Sequence, residues 1–434
     1  KVGSAITISS TAGVITATSY YGDGSNLSNI TSTTINNNAD NRLITGSGTA
    51  NTLNGESNLN YDGVNFTIGT GVTISTTSGV ATFRSGRIDV GDSLNNTSIG
   101  QNAGDAHTTG TRNSAIGYAA LTANTTGNYN SVLGYEALEA NTTGDANTAI
   151  GHKALEANTT ADSNTAVGYF ALGTNTTGAQ NVAVGRGALD ANTTASDNTA
   201  VGYEALTANT TGTRNTALGD SSLQANTTGD DNTGIGREAL KANTTGLRNT
   251  AVGKNALNAN TTANDNLAVG YEALITNTTG TKNIAIGSYA LDAASTVDWN
   301  VAIGYNALTA CTAAQNVAVG GAALEDCTTG EYNVAVGMEA ARNLTTGSSN
   351  TAIGRNALDK AVTGDGNTVV GAQAGRDITS GASNTGVGEY ACAAVTTASY
   401  NVAVGDNALP SNTTGAGNVA LGYATLQQNT TADN

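Results

Sequence analysis

A seventeen-residue frame recurs along most of this chain and leaves few folds open to it. Residues 198–214, NTAVGYEALTANTTGTR, show one copy: Asn, two small or β-branched residues, an aliphatic, Gly, two variable residues, Ala, Leu, then a polar Asn-Thr-Thr-Gly turn. The frame starts at Asn96 and returns every 17 residues as far as Asn300. One turn then loses a residue, and the frame runs again in steps of 17 from Asn316 to Asn418, making 20 copies. Each copy must be one unit stacked on the next, because so short a unit cannot bury its own apolar side. Positions are counted below from the initial Asn of each copy as zero.

Position three is Ile, Val or Leu in every copy, as at Val201 and Leu218, and position two is nearly always Ala, as at Ala200 and Ala217. Ser98, Val132, Gly234, Val369 and Gly386 are the exceptions. Neighbours along a strand point to opposite faces, so both faces are apolar, one wide and one narrow. A single roll buries one face and would leave the Ala ladder as a continuous apolar surface larger than soluble monomers tolerate. The expectation is therefore a homotrimer with its Ala faces around a common axis, which leucine at Ala200 and Ala251 would split. Gly at position four, as at Gly202 and Gly219, suits a sharp bend or a close backbone approach. Ala205-Leu206 predicts a second short strand, and the run 209–212 a turn. The fold class expected is all-β, an elongated parallel β-roll or β-solenoid, intertwined or side by side in the trimer. Its repeat positions are Asn198, Ala200, Val201, Gly202, Ala205 and Leu206, matched one turn on by Asn215, Ala217, Leu218 and Gly219. At about 4.8 Å per turn the stack is a rod on the order of 100 Å long. Trp299, Pro410 and the shortened turn are the places where its outline would bulge or kink.

Composition agrees. With 55 Gly, one Pro and 4% aromatic residues, a core of large side chains is excluded. Charged residues are only 12%, which argues against disorder through charge repulsion. A net charge of −16 argues against a nucleic-acid partner, which would need clustered Lys and Arg. Without a run of about 18 apolar residues, no membrane insertion is expected. Residues 1–95 lack the frame. Short apolar runs at 5–8, 13–18, 42–44, 64–68, 72–74 and 80–83, separated by Gly-rich turns, predict an irregular all-β region for attachment or shaft continuation, while residues 96–434 form the repeat domain. The absence of a recognisable capping unit predicts that the chain is an interior piece of a longer polypeptide.

Little in the sequence points to chemistry. His107 and His152 occupy different positions of the frame, eleven and five, so neither joins a nucleophile–base pairing. Glu136, Glu204, Glu238 and Glu272 recur at position six, where a solvated face is the simpler reading than the two fixed carboxylates of a glycosidase. Asp23-Gly24 and 46–48 are too short for calcium or phosphate loops. No catalytic residue, cofactor or metal site is expected. The Asn-Thr-Thr triplets read as ladders of stacked amides and hydroxyls, and rings of Asn near a three-fold axis could hold water or an ion. Cys311 and Cys327 fall at one place in consecutive turns, about one strand spacing apart, where a disulfide is sterically conceivable but packed free thiols are expected; Cys392 replaces a core Leu.

The run Asn-Thr-Ala-Val-Gly-x-x-Ala-Leu resembles the head repeat of trimeric autotransporter adhesins, with residues 181–185 (NVAVG) and 350–354 (NTAIG) matching well. The resemblance covers residues 96–434 and implies a left-handed parallel β-roll in a homotrimer. These repeats are longer, with the extra length in the Asn-Thr-Thr-Gly turn. That longer form, and the upstream segment 15–27 (ITATSYYGDGSNL), are similar to bacteriophage tail-fibre shafts, especially those of marine phages. The resemblance implies a structural, non-enzymatic virion protein, assembled in the host cytoplasm. Its partners would be other tail or baseplate proteins and a host receptor, reached through a tip that is not in this chain. Two other roles fit the same pattern: a bacterial surface adhesin head, and an ice-binding array of Thr such as Thr210 and Thr211.

Overall fold

The computed structural model describes residues 93–360 and 362–433, together with three strands nearer the start. The chain divides into two compact units, Lys1–Ile88 and Asp89–Asn434. In the first, β1 (Arg42–Gly46), β2 (Leu53–Tyr61) and β3 (Phe66–Ile68) pair antiparallel in that order. β1 and β3 fall on expected runs, whereas β2, whose sequence LNGESNLNY is mostly polar, gave no apolar signal. The runs at 5–8, 13–18, 72–74 and 80–83 lie outside the described residues.

The second unit is an all-β solenoid. Each copy of the frame contributes one three-residue strand, from β4 (Thr97–Ile99) to β23 (Val419–Leu421), and successive strands pair parallel in chain order. The register between β10 (Thr199–Val201) and β11 (Thr216–Leu218) matches like with like: Thr199 with Thr216, Ala200 with Ala217, Val201 with Leu218. Among the described residues β4 is paired with β5 (Ser114–Ile116) and β23 with β22 (Val402–Val404), so the ladder is a stack of coils and does not close on itself.

The two faces of the strand are the reverse of the sequence expectation. Ala200 has no exposed surface and lies inside its own coil with Ala205 and Leu206, while the aliphatic position three faces outward, with Leu218 46% exposed. Size favours this, because the coil interior already holds a Leu and two Asn from its other sides and leaves little room at position two, where Ala is the rule and Val132 an exception. Leucine at Ala200 or Ala251 therefore overpacks a coil instead of splitting a trimer axis. Compensating exchanges show how closely position two is packed. Gly375 replaces the core Leu where Val369 replaces the Ala, and a Cβ on Gly375 would fall 2.6 Å from the Val369 side chain. Gly234 replaces the Ala where Ser222, in the coil before, supplies a hydroxyl that donates to the Gly234 carbonyl at 2.8 Å.

The expected second strand at Ala205-Leu206 does not form. Leu206 adopts φ 52°, as do Glu204 at 51° and Arg214 at 56°, so every such coil turns three corners on left-handed residues that are not Gly. Each costs on the order of 1–3 kcal/mol. The corners redirect the peptide groups so that the ladder continues around the coil. Glu204 N–H donates to the Arg186 carbonyl of the preceding coil at 3.0 Å, and Leu206 N–H to the Ser222 carbonyl of the following one at 3.0 Å.

None of the three suspected irregularities interrupts the strands. In the 16-residue copy the Asn300 side chain still reaches a turn carbonyl, Ala313 O, at 3.0 Å, so the residue lost is the second, exposed Thr. β16 (Val301–Ile303) and β17 (Val317–Val319) keep their register across it. The Pro410 carbonyl still accepts from Ala394 N–H at 3.0 Å, and Trp299 N–H still donates to Thr281 O at 3.1 Å.

Candidate functional site

Two rows of buried Asn run through the stack, and their hydrogen bonds differ. At position zero, Asn198 Nδ2 donates to Gly212 O at 2.9 Å, and its Oδ1 accepts the backbone N–H of Asn215 at 2.9 Å. At position eleven, Asn209 Nδ2 donates to the same Gly212 O at 2.9 Å and to Asn192 Oδ1 at 3.0 Å, while its own Oδ1 accepts Asn226 Nδ2 at 2.9 Å. The amides are thus spent inside one chain, and no ring of Asn is offered to a three-fold axis. The second row is Asn from Asn124 to Asn277 and then becomes Ala294, Cys311, Cys327 and Leu344, with Ile378 and Val395 further on, before Asn412 restores it. Asn277 Oδ1, facing Ala294 where an amide would otherwise follow, is a buried oxygen without a donor.

The thiols take over the missing amides. Cys311 Sγ donates to Ala313 O at 3.3 Å and Cys327 Sγ to Gly330 O at 3.5 Å. A hydrogen bond from Cys311 and burial together raise the Cys327 thiol, while burial alone pushes Cys392 up to about 12. All three are free and have no exposed surface. They are expected to resist maleimide in the folded protein and to react fully in denaturant. Because the folded pKa of Cys392 lies above its unfolded value, the neutral thiol's contribution is intact below pH ~9 and is lost toward ~12. Urea melts should therefore weaken over that interval.

Hydroxyl rows line the turn. Thr210 Oγ1 donates to Thr227 O at 3.0 Å, and the pattern repeats at Thr227 and Thr244. The hydroxyl protons at position twelve are therefore spent on the next coil, leaving only the exposed position thirteen, Thr211, to face water.

Outside, charge is handled locally. Glu136, Glu139 and Glu156 bring their carboxylates together, and Lys153 Nζ, 3.0 Å from Glu136 and 2.6 Å from Glu156, offsets part of their charge. Glu204 accepts Gln224 Nε2 at 2.8 Å, Glu238 pairs with Lys241 at 3.0 Å, and Glu272 accepts Asn255 Nδ2 at 3.2 Å. These glutamates are half-buried and partnered, not freely solvated. Position sixteen alternates in sign through Asp197, Arg214, Asp231, Arg248 and Asp265, with Arg214–Asp231 and Arg248–Asp265 each at 2.7 Å. Hydrogen bonds from the guanidiniums hold the Asp231 and Asp265 carboxyls below their usual range. Their small stabilisation is present at neutral pH and lost as pH falls, and being exposed and screened it is minor.

At position five, Tyr118, Tyr135, His152 and Tyr169 stack with centroids 5.1 Å apart, which places His152 as a rung of an aromatic row. His107 lies at position eleven of the first coil, away from it.

The largest continuous surface is the outward face of the strands. Positions one and three share it, and across Leu267, Val269, Ile284, Ile286, Val301, Ile303, Val317, Val319, Val334 and Val336 every residue is aliphatic. Position three stays aliphatic along the whole ladder, with Ile99 48% and Leu133 50% exposed, while position one is Thr or Ser in most other copies, as at Thr97 and Ser131. Of the repeat residues singled out from sequence, Asn198, Ala200, Ala205, Leu206, Asn215 and Ala217 are interior. Gly202 and Gly219 form the bend, and Val201 and Leu218 lie on the outward face.

These features define a parallel β-solenoid of 17-residue coils. Comparison with protein-family models, with curated proteins and with solved structures finds no match.

Proposed function

We propose that this chain is a structural rod, the shaft of a phage tail fibre, that works as a homotrimer and holds a receptor-binding tip away from the virion. The observation that carries the reading is the outward face of the strands, aliphatic at position three in every copy and at positions one and three together from Leu267 to Val336, a longer exposed apolar strip than soluble monomers ordinarily carry. A second and third copy of this chain suit it best, since only they repeat with the same step along its whole length. Stiffness supports the reading as well: backbone, Asn and Thr ladders all run coil to coil, so bending strains every row together. The virion setting and the tip come from the resemblance of the long-turned repeat, and above all of the upstream segment 15–27, to tail-fibre shafts.

Sedimentation of the full chain is expected to give three times the 43.0 kDa chain mass. Lysine at both Val201 and Val252, on the outward face, should lower the mass toward one chain while leaving the circular dichroism unchanged. A single-chain mass for the unmodified protein would remove the trimer and the role built on it. Antibodies against residues 93–433 should label the tails of virions in electron micrographs. Labelling of a bacterial envelope instead would move the assignment to a surface adhesin.

A further inference from the structure

The rows on the outside of the solenoid are interrupted at one place that has the makings of a binding site. Position six carries a side chain in every copy but one, and the exception is Gly187. Its absence opens a notch of about 230 Å³ between Phe170 and Glu204, the position-six residues on either side. We propose that this notch binds a single neutral pyranose ring of a surface glycan, seated on Phe170 and held at its hydroxyls by Asp190, Arg186, Glu204 and Thr207.

The walls argue for that class. Lys153 Nζ lies 5.7 Å from the Phe170 ring centroid, and Phe170 lines the notch together with Gly187. Tyr169 braces it edge to face at 4.7 Å and 63°. An aromatic surface of this kind takes the C–H face of a sugar. The rim supplies acceptors in the two carboxylates, donors in the guanidinium, and both in the Thr207 hydroxyl, which suits hydroxyls that donate and accept in turn. A cationic ligand fits less well, because Arg186 already stands over the rings of Tyr169 at 5.9 Å and Tyr203 at 5.4 Å and puts positive charge in the same space. An anion would meet two carboxylates against one guanidinium. The guanidinium is fixed as well as stacked, with Nη1 donating to Tyr203 Oη at 3.0 Å. The volume lies below the ~300–1,000 Å³ of sites for drug-sized ligands and matches one ring, not a chain.

Gly187 also supplies a clean test. Its φ of 64° is the corner conformation that Glu204 and Gln373 hold with full side chains, and a Cβ there would come no closer than 3.6 Å to any neighbour. Gly187→Gln should therefore fold normally and fill the notch, while Ala322→Gln adds the same side chain at the same position of another coil. Saturation-transfer NMR on the full chain would use the methyl glycosides of glucose, galactose and N-acetylglucosamine as separate probes, with choline as the cationic comparison. Transfer to ring C–H protons of at least one glycoside is expected. It should fall about tenfold in Gly187→Gln and in Phe170→Leu, and stay unchanged in Ala322→Gln. No transfer to any of the three glycosides, transfer that survives Gly187→Gln, or transfer to choline alone would overturn the proposal. None of these readouts depends on chain mass or virion labelling, so the sugar site and the shaft stand or fall separately.

Discussion

Replacing Gly202 by alanine is expected to open the solenoid at that coil. The backbone there sits at φ 144°, and an added Cβ would lie 2.4 Å from Gly219 O and 2.6 Å from Gly219 C, both backbone atoms of the following coil that cannot swing aside. The strain and the overlap together should cost roughly 2–4 kcal/mol. In a stack where each coil touches only its neighbours the loss stays local. Limited proteolysis should cut in the flanking coils and leave two large fragments, with only a modest change in total circular dichroism. Gly321→Ala is the matched control: a Cβ there meets nothing within 4 Å, so the change should stay within about 0.5 kcal/mol. Equal protease resistance of the two variants would show that the close approach at position four is not what holds the coils together.

Asn209→Asp should be at least as damaging at neutral pH, although it replaces one atom by another of the same size. The amide nitrogen that now donates to Asn192 Oδ1 and Gly212 O becomes a carboxylate oxygen facing two acceptors in a site without exposed surface. Burying that unpaired charge should cost about 3–5 kcal/mol. Protonation removes the charge and restores one donor, so the folded pKa of the new acid must lie above its unfolded value of about 3.9. Stability is then retained at low pH and lost as pH rises through the folded value. Urea midpoints at pH 4 and pH 8 should differ for the variant far more than for the parent. Asn209→Leu should be milder at pH 8 than Asn209→Asp, since the row already accepts Leu344 and Ile378 elsewhere.

The coil, its length and its parallel stacking were legible in the sequence because like residues must meet like at every step. Which way each residue faces was not, because period two gives two faces without saying which is inside. The deciding signal was present but lay in the exceptions: Val369 with Gly375, and Ser98 with Gly104, trade volume between positions two and eight and so report an internal contact. The Leu corners were hidden for a different reason. A left-handed Leu violates local preference and is tolerated only because ladders on both sides hold it, a tertiary effect that no propensity reports. The alternating charges at position sixteen could have been read directly from their spacing. The notch at Gly187 could be seen as a missing side chain, but its walls only once the coils were stacked.

The 16-residue copy shows what the lattice of contacts will tolerate. A residue was dropped from an exposed place whose side chain joins no row, and the strands before and after it still meet in register. By the same reasoning, excising or duplicating a whole 17-residue unit joins two coils that already fit. Unequal recombination between near-identical repeats in the gene can thus shorten or lengthen the molecule by whole steps, and its reach becomes a heritable dimension that selection can adjust without redesigning a single interior contact.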